Sequence, residues 1–368
     1  MELQELCAGA PGLRRLRLGR NALQPACLPL LLRALKAAPA VTTLALQDCK
    51  LTAEDLLPLA AAMQDGSLAL EELDITYNPI GTGPAADALM ATLGAAPSLA
   101  VLHMSSTGVD SDAVAAFADA RALVPCSRLR TLWLNRNPLT LRGLGHAVRA
   151  VAQPVSAAGS PAAAAAACEL QVQWCIPAGP MGAVHDLLEA ATGGDTTRAL
   201  HVGTLDMKGC VLGEEGVRSV VHALRRDGSA HGLSASHVSL FGVAAGNAGV
   251  QHLVEHLLEH KGEHSDLGVL DVGGNDLTDE AADVLSKLFP GVQGGVDGAK
   301  PPLNSLRVLD ISANDLSEDG VAAVQAALSA AGTVVQLLHA GQGEKRRETQ
   351  EGDDSLAAAA AQGAASPV

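Results

Sequence analysis

The sequence predicts an α/β solenoid of about ten stacked strand–helix units. Three observations carry this. A short leucine phrase recurs along the chain, the stretches between its copies have helical periodicity, and a chain that is 48% hydrophobic holds only 2% aromatic residues. A thick globular core leans on aromatic volume. Leu, Val and Ala suit thin layers filled alike, each unit burying its faces against its neighbours.

Residues 13–23 (LRRLRLGRNAL) fit the pattern LxxLxLxxNxL without a mismatch. Copies follow at 41–51 with Cys49 in the Asn place, 70–80 with Asn78, 99–109 with Thr107, 129–139 with Asn137, 267–277 with Asn275 and 306–316 with Asn314. Weaker copies lead to Cys175, Cys210 and Val243, and a partial eleventh covers 334–339. The Asn-equivalent positions lie 28–30 residues apart up to Asn137 and 32–39 apart beyond it. Within each copy LxL places two apolar side chains on one face of a short strand, because strand side chains alternate. The Asn, Cys or Thr then turns inward, where a polar side chain satisfies backbone groups leaving the strand.

Helices are expected over 53–64, 112–124, 213–226, 250–260, 279–289 and 318–330, where apolar residues recur at three and four. Val250, Leu253, Val254, Leu257 and Leu258 form the clearest stripe. Acidic pairs at the starts (Glu54-Asp55, Glu214-Glu215, Asp279-Glu280, Glu318-Asp319) favour the positive end of the helix dipole.

A strand and a full helix within 28–30 residues resemble the ribonuclease-inhibitor class of leucine-rich repeats, over roughly residues 3–339. The resemblance implies a horseshoe with a parallel sheet on the concave face and helices on the convex face. It also implies a non-catalytic scaffold that binds a partner protein along that sheet. Ran GTPase-activating protein is built from similar repeats, so an alternative is activation of a small GTPase. The resemblance then implies a loop arginine acting in trans, with Arg20 and Arg136 as candidates. NLR-type immune sensors and ciliary or cytoskeletal arrays also resemble this chain, which leaves open that it is the repeat portion of such a protein.

The repeat domain is expected over 1–340, with low-complexity insertions at 153–167 and 290–302. Residues 341–368 read as a disordered charged and Ala-rich tail, in which Lys345-Arg346-Arg347 is a solvated cluster. Residues 3–7 read as the end of a helix without its strand, either a cap or the trace of a longer chain.

The formal net charge of −15 argues against nucleic acid and anionic membrane as partners. Seven cysteines without CxxC spacing argue against a disulfide framework or a zinc ribbon. No apolar run approaches a membrane span and no cofactor motif occurs, so the expectation is a cytoplasmic protein without cofactor or metal, with cytoskeletal, ciliary or nuclear association open.

Strand alternation also maps the concave surface. Between the two LxL leucines stand Arg17, Ala45, Asp74, His103, Trp133, Gln171, Asp206, Ser239, Asp271 and Asp310, and two residues later Gly19, Gln47, Thr76, Ser105, Asn135, Gln173, Lys208, Phe241, Gly273 and Ser312. Arg17, Asp74, Thr76, His103, Trp133, Asn135, Asp206, Lys208, Phe241, Asp271 and Asp310 are the expected partner-binding residues, with Trp133 the anchor. The sequence runs from a basic first strand (Arg15, Arg17) to acidic last strands (Asp271, Asp310), a gradient suited to orienting a partner.

Two constellations have the residue types of a chemical site. Asp74, His103 and Ser105 evoke a nucleophilic triad, but His103 and Ser105, two apart on one strand, project in parallel about 7 Å from each other. His252, His256 and His260, with Glu255, Glu259 and His264 nearby, share one helical face. That face is expected on the convex solvent side, as a wet His/Glu surface rather than a metal site.

Overall fold

The computed structural model of the chain describes residues 9–124, 128–154, 168–175, 185–194, 199–224, 232–260, 266–290, 303, 305–332 and 334–343. Its strands are β1 (Arg15–Arg17), β2 (Thr43–Ala45), β3 (Glu72–Asp74), β4 (Val101–His103), β5 (Thr131–Trp133), β6 (Gln153–Pro154), β7 (Glu169–Gln171), β8 (Ala199–Asp206), β9 (Gly232–Ser239), β10 (Val269–Asp271), β11 (Val308–Asp310) and β12 (Gln336–Leu338). The helices are α1 (Leu28–Ala37), α2 (Ala53–Gln64), α3 (Pro84–Gly94), α4 (Ser111–Ala122), α5 (Leu141–Val151), α6 (Asp186–Thr192), α7 (Gly213–Ala223), α8 (Gly246–Glu259), α9 (Asp279–Ser286) and α10 (Glu318–Ala330).

All strands except β6 follow one another in chain order as a parallel sheet. Register is strict. Leu16, Leu44, Leu73, Leu102, Leu132, Leu170, Leu205, Val238, Leu270, Leu309 and Leu337 stand side by side at the strand centres. Those from Leu44 to Leu309 are buried, each contributing about 2 kcal/mol relative to exposure. Leu16 and Leu337, with a neighbour on one side, are half-buried. The aromatic residues of this core are Phe117 and Phe289, so Leu, Val, Ala and Met fill the layers.

The polar residue after each strand ties its unit to the one before. Asn137 donates from Nδ2 to its own Leu134 carbonyl at 2.8 Å and to Met104 of the preceding unit at 3.0 Å. Its Oδ1 accepts from the Thr107 and Gly108 amides. Asn78, Asn275 and Asn314 repeat the arrangement. Cys49, Cys175 and Cys210 keep part of it, donating Sγ–H to a carbonyl of the preceding unit. Burial pushes the Cys49 thiol up from its ordinary range, and the hydrogen bond with Cys175, then burial, pushes Cys210 up. These bonds make a ladder of polar side chains from unit to unit and satisfy turn groups that strand pairing does not reach.

Three details depart from the expectations. The eleventh unit extends past residue 340, because Gln342 takes the ladder role: it accepts from Leu316 N–H at 3.2 Å and donates to the Ile311 carbonyl at 2.8 Å. It stands at the same place in its unit as Asn314 does in the one before, again just after a left-handed residue, Gly341. Second, β8 and β9 are eight residues long, and Gln153–Pro154 pairs antiparallel with β8 as β6 instead of opening a loop. Third, the chain also forms α1, α3, α5 and α6, which lie outside the expected helices. Residues 1–8, 155–167, 291–302 and 344–368, with Lys345-Arg346-Arg347, lie outside the described residues.

Candidate functional site

Each strand exits through a residue in the left-handed region just before the ladder residue. Arg20, Asp48, Tyr77, Ser106, Arg136 and Trp174 have φ of 52–62°, and the four later units use Gly209, Gly242, Gly274 and Ala313. A non-glycine residue there is uncommon, so six in succession set a row of side chains along one edge of the sheet. Backbone bonds keep the row in register: Tyr77 N–H donates to the Ser105 carbonyl at 2.9 Å and Arg136 N–H to that of Gln173 at 2.8 Å.

This row and the two concave rows enclose a trough of about 1010 Å³ over the first six units. The structure brings Asp74, Thr76, His103, Trp133, Asn135, Arg20 and Arg136 together in its lining. Arg17, Asp206, Lys208, Phe241, Asp271 and Asp310 are not in it. Tyr77 and Trp174, absent from the expected set, are. The signal was present, since both precede a ladder residue, as Arg20 and Arg136 do. Both tryptophans and the single tyrosine of the chain thus line one depression, and Tyr77 is 54% exposed.

The aromatic walls are braced. The His103 ring lies flat on Trp133, centroids 3.9 Å apart and planes 14° apart. Trp133 Nε1–H donates to Glu169 at 3.2 Å. Burial holds the His103 pKa below its ordinary value, against the pull of Asp74, Glu72 and Glu169, so the stacked ring is neutral near pH 7. The Trp174 ring lies over Gly209, where a Cβ would overlap it. His103 has no hydrogen bond to Ser105, and no triad forms.

The carboxylates near the trough are engaged within the chain. Asp74 Oδ1 accepts the Thr76 amide at 3.0 Å, Asp48 pairs with Lys50 at 2.8 Å, and Glu72 accepts from Thr43 at 3.2 Å. Glu169 accepts from Trp133 and Gln171. The later aspartates repeat the first motif: Asp206, Asp271 and Asp310 each accept the amide two residues on. Asp271 also accepts from Ser239 at 2.7 Å, and its burial raises its pKa. The acidic row therefore closes its own strand ends, a role that the Asp-x-x spacing encodes locally. Lys208 stands 4.5 Å over the Phe241 ring, which covers Gly273 and Gly274, as a separate cluster.

The helical histidines correct the wet-face expectation in part. His256 is buried, at 8% exposure, and packs 4.5 Å from His260. His252 Nε2 reaches Glu214 of α7 at 3.1 Å. Because α8 sits between α7 and α9, its flanks are covered even where its back is not. Among the described residues no group of three or more His, Cys, Asp or Glu is placed to hold a metal, and no helix is long and apolar enough to cross a membrane.

A leucine-rich-repeat family model matches residues 265–286 and 303–324, which carry β10, α9, β11 and the start of α10. The fold is a leucine-rich-repeat solenoid. Over 143 residues the chain is 38% identical to Tonsoku-like protein from Bos taurus, an alignment covering 36% of this chain and 10% of that protein. The chain thus matches about a tenth of the length of this relative. Two solved structures resemble the solenoid at low identity. A TLR13–ssRNA13 complex shares 15% identity at a TM-score of 0.41, covering 86% of this chain and 38% of its own. The yeast Rad7 and Elc1 complex shares 13% at 0.34, covering 86% and 74%.

Proposed function

We propose that the chain is a non-catalytic interaction scaffold whose first six units grip a partner protein in the concave trough. The observation that carries this reading is the placement of both Trp and the Tyr in one open depression, when the core does without them. Trp and Tyr lead the residues that dominate binding energy at interfaces, supplying large contact area with few rotatable bonds. The Ser105, Ser106 and Thr76 hydroxyls between them make no side-chain hydrogen bond among the described residues. Extended parallel sheets in repeat arrays serve as rigid binding surfaces because each unit is fixed by its neighbours.

Photo-crosslinking tests this. A photoreactive residue at Ser105 is expected to capture a partner that the same residue at convex Glu255 does not, and Trp133→Ala is expected to lower capture at least tenfold. Equal capture from both faces would remove the concave reading.

The unpartnered, exposed Arg20 and Arg136 also keep the GTPase-activator reading testable. In that reading one of them would stabilise charge during phosphoryl transfer. Absence of accelerated phosphate release from small GTPases would end it.

A further inference from the structure

The charges in the trough are unevenly compensated. Its lining holds Arg20, Lys50 and Arg136 against Asp48 and Asp74, a local excess of cation on a chain of net charge −15. Lys50 is paired with Asp48, and Asp74 accepts a backbone amide. Among the described residues Arg20 and Arg136 have no partner, and both are exposed. All open positive charge of the trough therefore sits on two guanidiniums, one in the first unit and one in the fifth.

Between them, along the same edge, come Tyr77 and Ser106, with Thr76 and Ser105 beside them and Trp133 and Trp174 toward the far end. Strands in a sheet lie about 4.8 Å apart, so four intervals separate the arginine backbones by about 19 Å. An extended peptide rises about 3.3 Å per residue, so about six residues span that gap. We infer that the trough takes an extended acidic peptide segment laid across the strands, its carboxylates on Arg20 and Arg136 and its apolar side chains against Tyr77, Trp133 and Trp174. Arginine binds carboxylates as a planar fork, with two parallel hydrogen bonds. The free hydroxyls of Thr76, Ser105 and Ser106 suit backbone amides and carbonyls, which both donate and accept. A single-stranded nucleic acid would also use aromatic faces and cations, but it presents a phosphate at every step, and here Asp48 and Asp74 stand along the track.

The inference rests on the trough being the partner-binding face, and the test separates the two. A random dodecapeptide display library is panned against the immobilised full chain and, in parallel, against Arg20→Asn/Arg136→Asn. Asn is chosen because it tolerates the left-handed backbone of these positions, φ 62° and 58°. The expected result is enrichment of sequences with acidic residues about six apart flanking aromatic or aliphatic ones, lost with the double variant. The best peptide, synthesised, is expected to shift the tryptophan emission, which reports only on this trough, and to bind the double variant at least tenfold more weakly, with affinity falling as salt rises. Enrichment of basic or uncharged sequences, enrichment indifferent to the two arginines, no enrichment at all, or an oligo(dT) that binds the trough more tightly than the peptide would each overturn the inference. If crosslinking from Ser105 still captures a Trp133-dependent partner in those cases, the scaffold reading stands and the acidic specificity alone is lost.

Discussion

The His103 imidazole and the Trp133 indole are stacked in parallel on adjacent strands, 3.9 Å apart, so the chemistry of one ring reports on the other. Burial depresses the His103 pKa below 6.5, and protonation as pH falls converts a neutral stacked ring into a cation quenching the indole. Tryptophan emission is expected to drop on acidification through a midpoint below pH 6.5, and His103→Leu to abolish the transition. An unchanged titration in that variant would assign it elsewhere. The direction for stability is the same: the unfolded chain takes up the proton first, so the contribution is complete above pH 6.5 and is lost as pH falls toward the folded value.

His146 on α5 gives a larger effect of the same sign. It is 8% exposed, and burial, aided by Arg149 and Arg142, brings its pKa to about 4. Between pH 6.5 and 4 the unfolded state binds a proton that the folded state refuses. The solenoid is expected to lose up to about 3 kcal/mol across that window from this residue. Urea melts of His146→Gln against the parent should show a flatter acid limb.

Arg121 is expected to be a stability residue. At 3% exposure it donates to Ala96 O at 2.7 Å and Leu99 O at 2.9 Å, closing the C-terminal end of α3 from the next helix. Burial lowers its pKa to about 10, so it stays charged at neutral pH. Arg121→Met leaves those carbonyls without a donor and is expected to cost about 3 kcal/mol in a denaturant melt. Emission of the trough tryptophans, which stand on or just after strands rather than on the helices, should be unchanged in the native baseline.

The ladder makes a graded prediction. Asn137→Ala removes the Asn137 bonds to Met104, Thr107 and Gly108 of the preceding unit and to its own Leu134, with an expected cost of about 3 kcal/mol. Asn137→Cys keeps only the thiol bond to a carbonyl, as at Cys175, and should cost about half as much. Equal losses would show that the accepting oxygen contributes little.

Much of this molecule was legible before folding was considered. The LxL phrase determines strands and the ladder position determines turns, because both depend on side-chain alternation and on local hydrogen bonding within one unit. The register of Leu16 through Leu337 follows, since a strand slipped by one residue would send its leucines into solvent. The residues between the two leucines, from Arg17 through Trp133, stand in register for the same reason.

What only the tertiary structure decided lies between units. Beyond the local amide bonds, Asp206 accepts from Gln173 and Asp271 from Ser239, each on the preceding unit, so the acidic stripe is occupied across the stack. The stacking of the third, fifth and sixth units also brings Tyr77, Trp133 and Trp174, far apart in the chain, into one depression. Burial of His256 and the ladder role of Gln342 likewise depend on neighbours 26 or more residues away in the chain. Local pattern specifies which unit forms. The sum of short distances across the stack decides which of its polar side chains are already occupied and which are left to meet a partner.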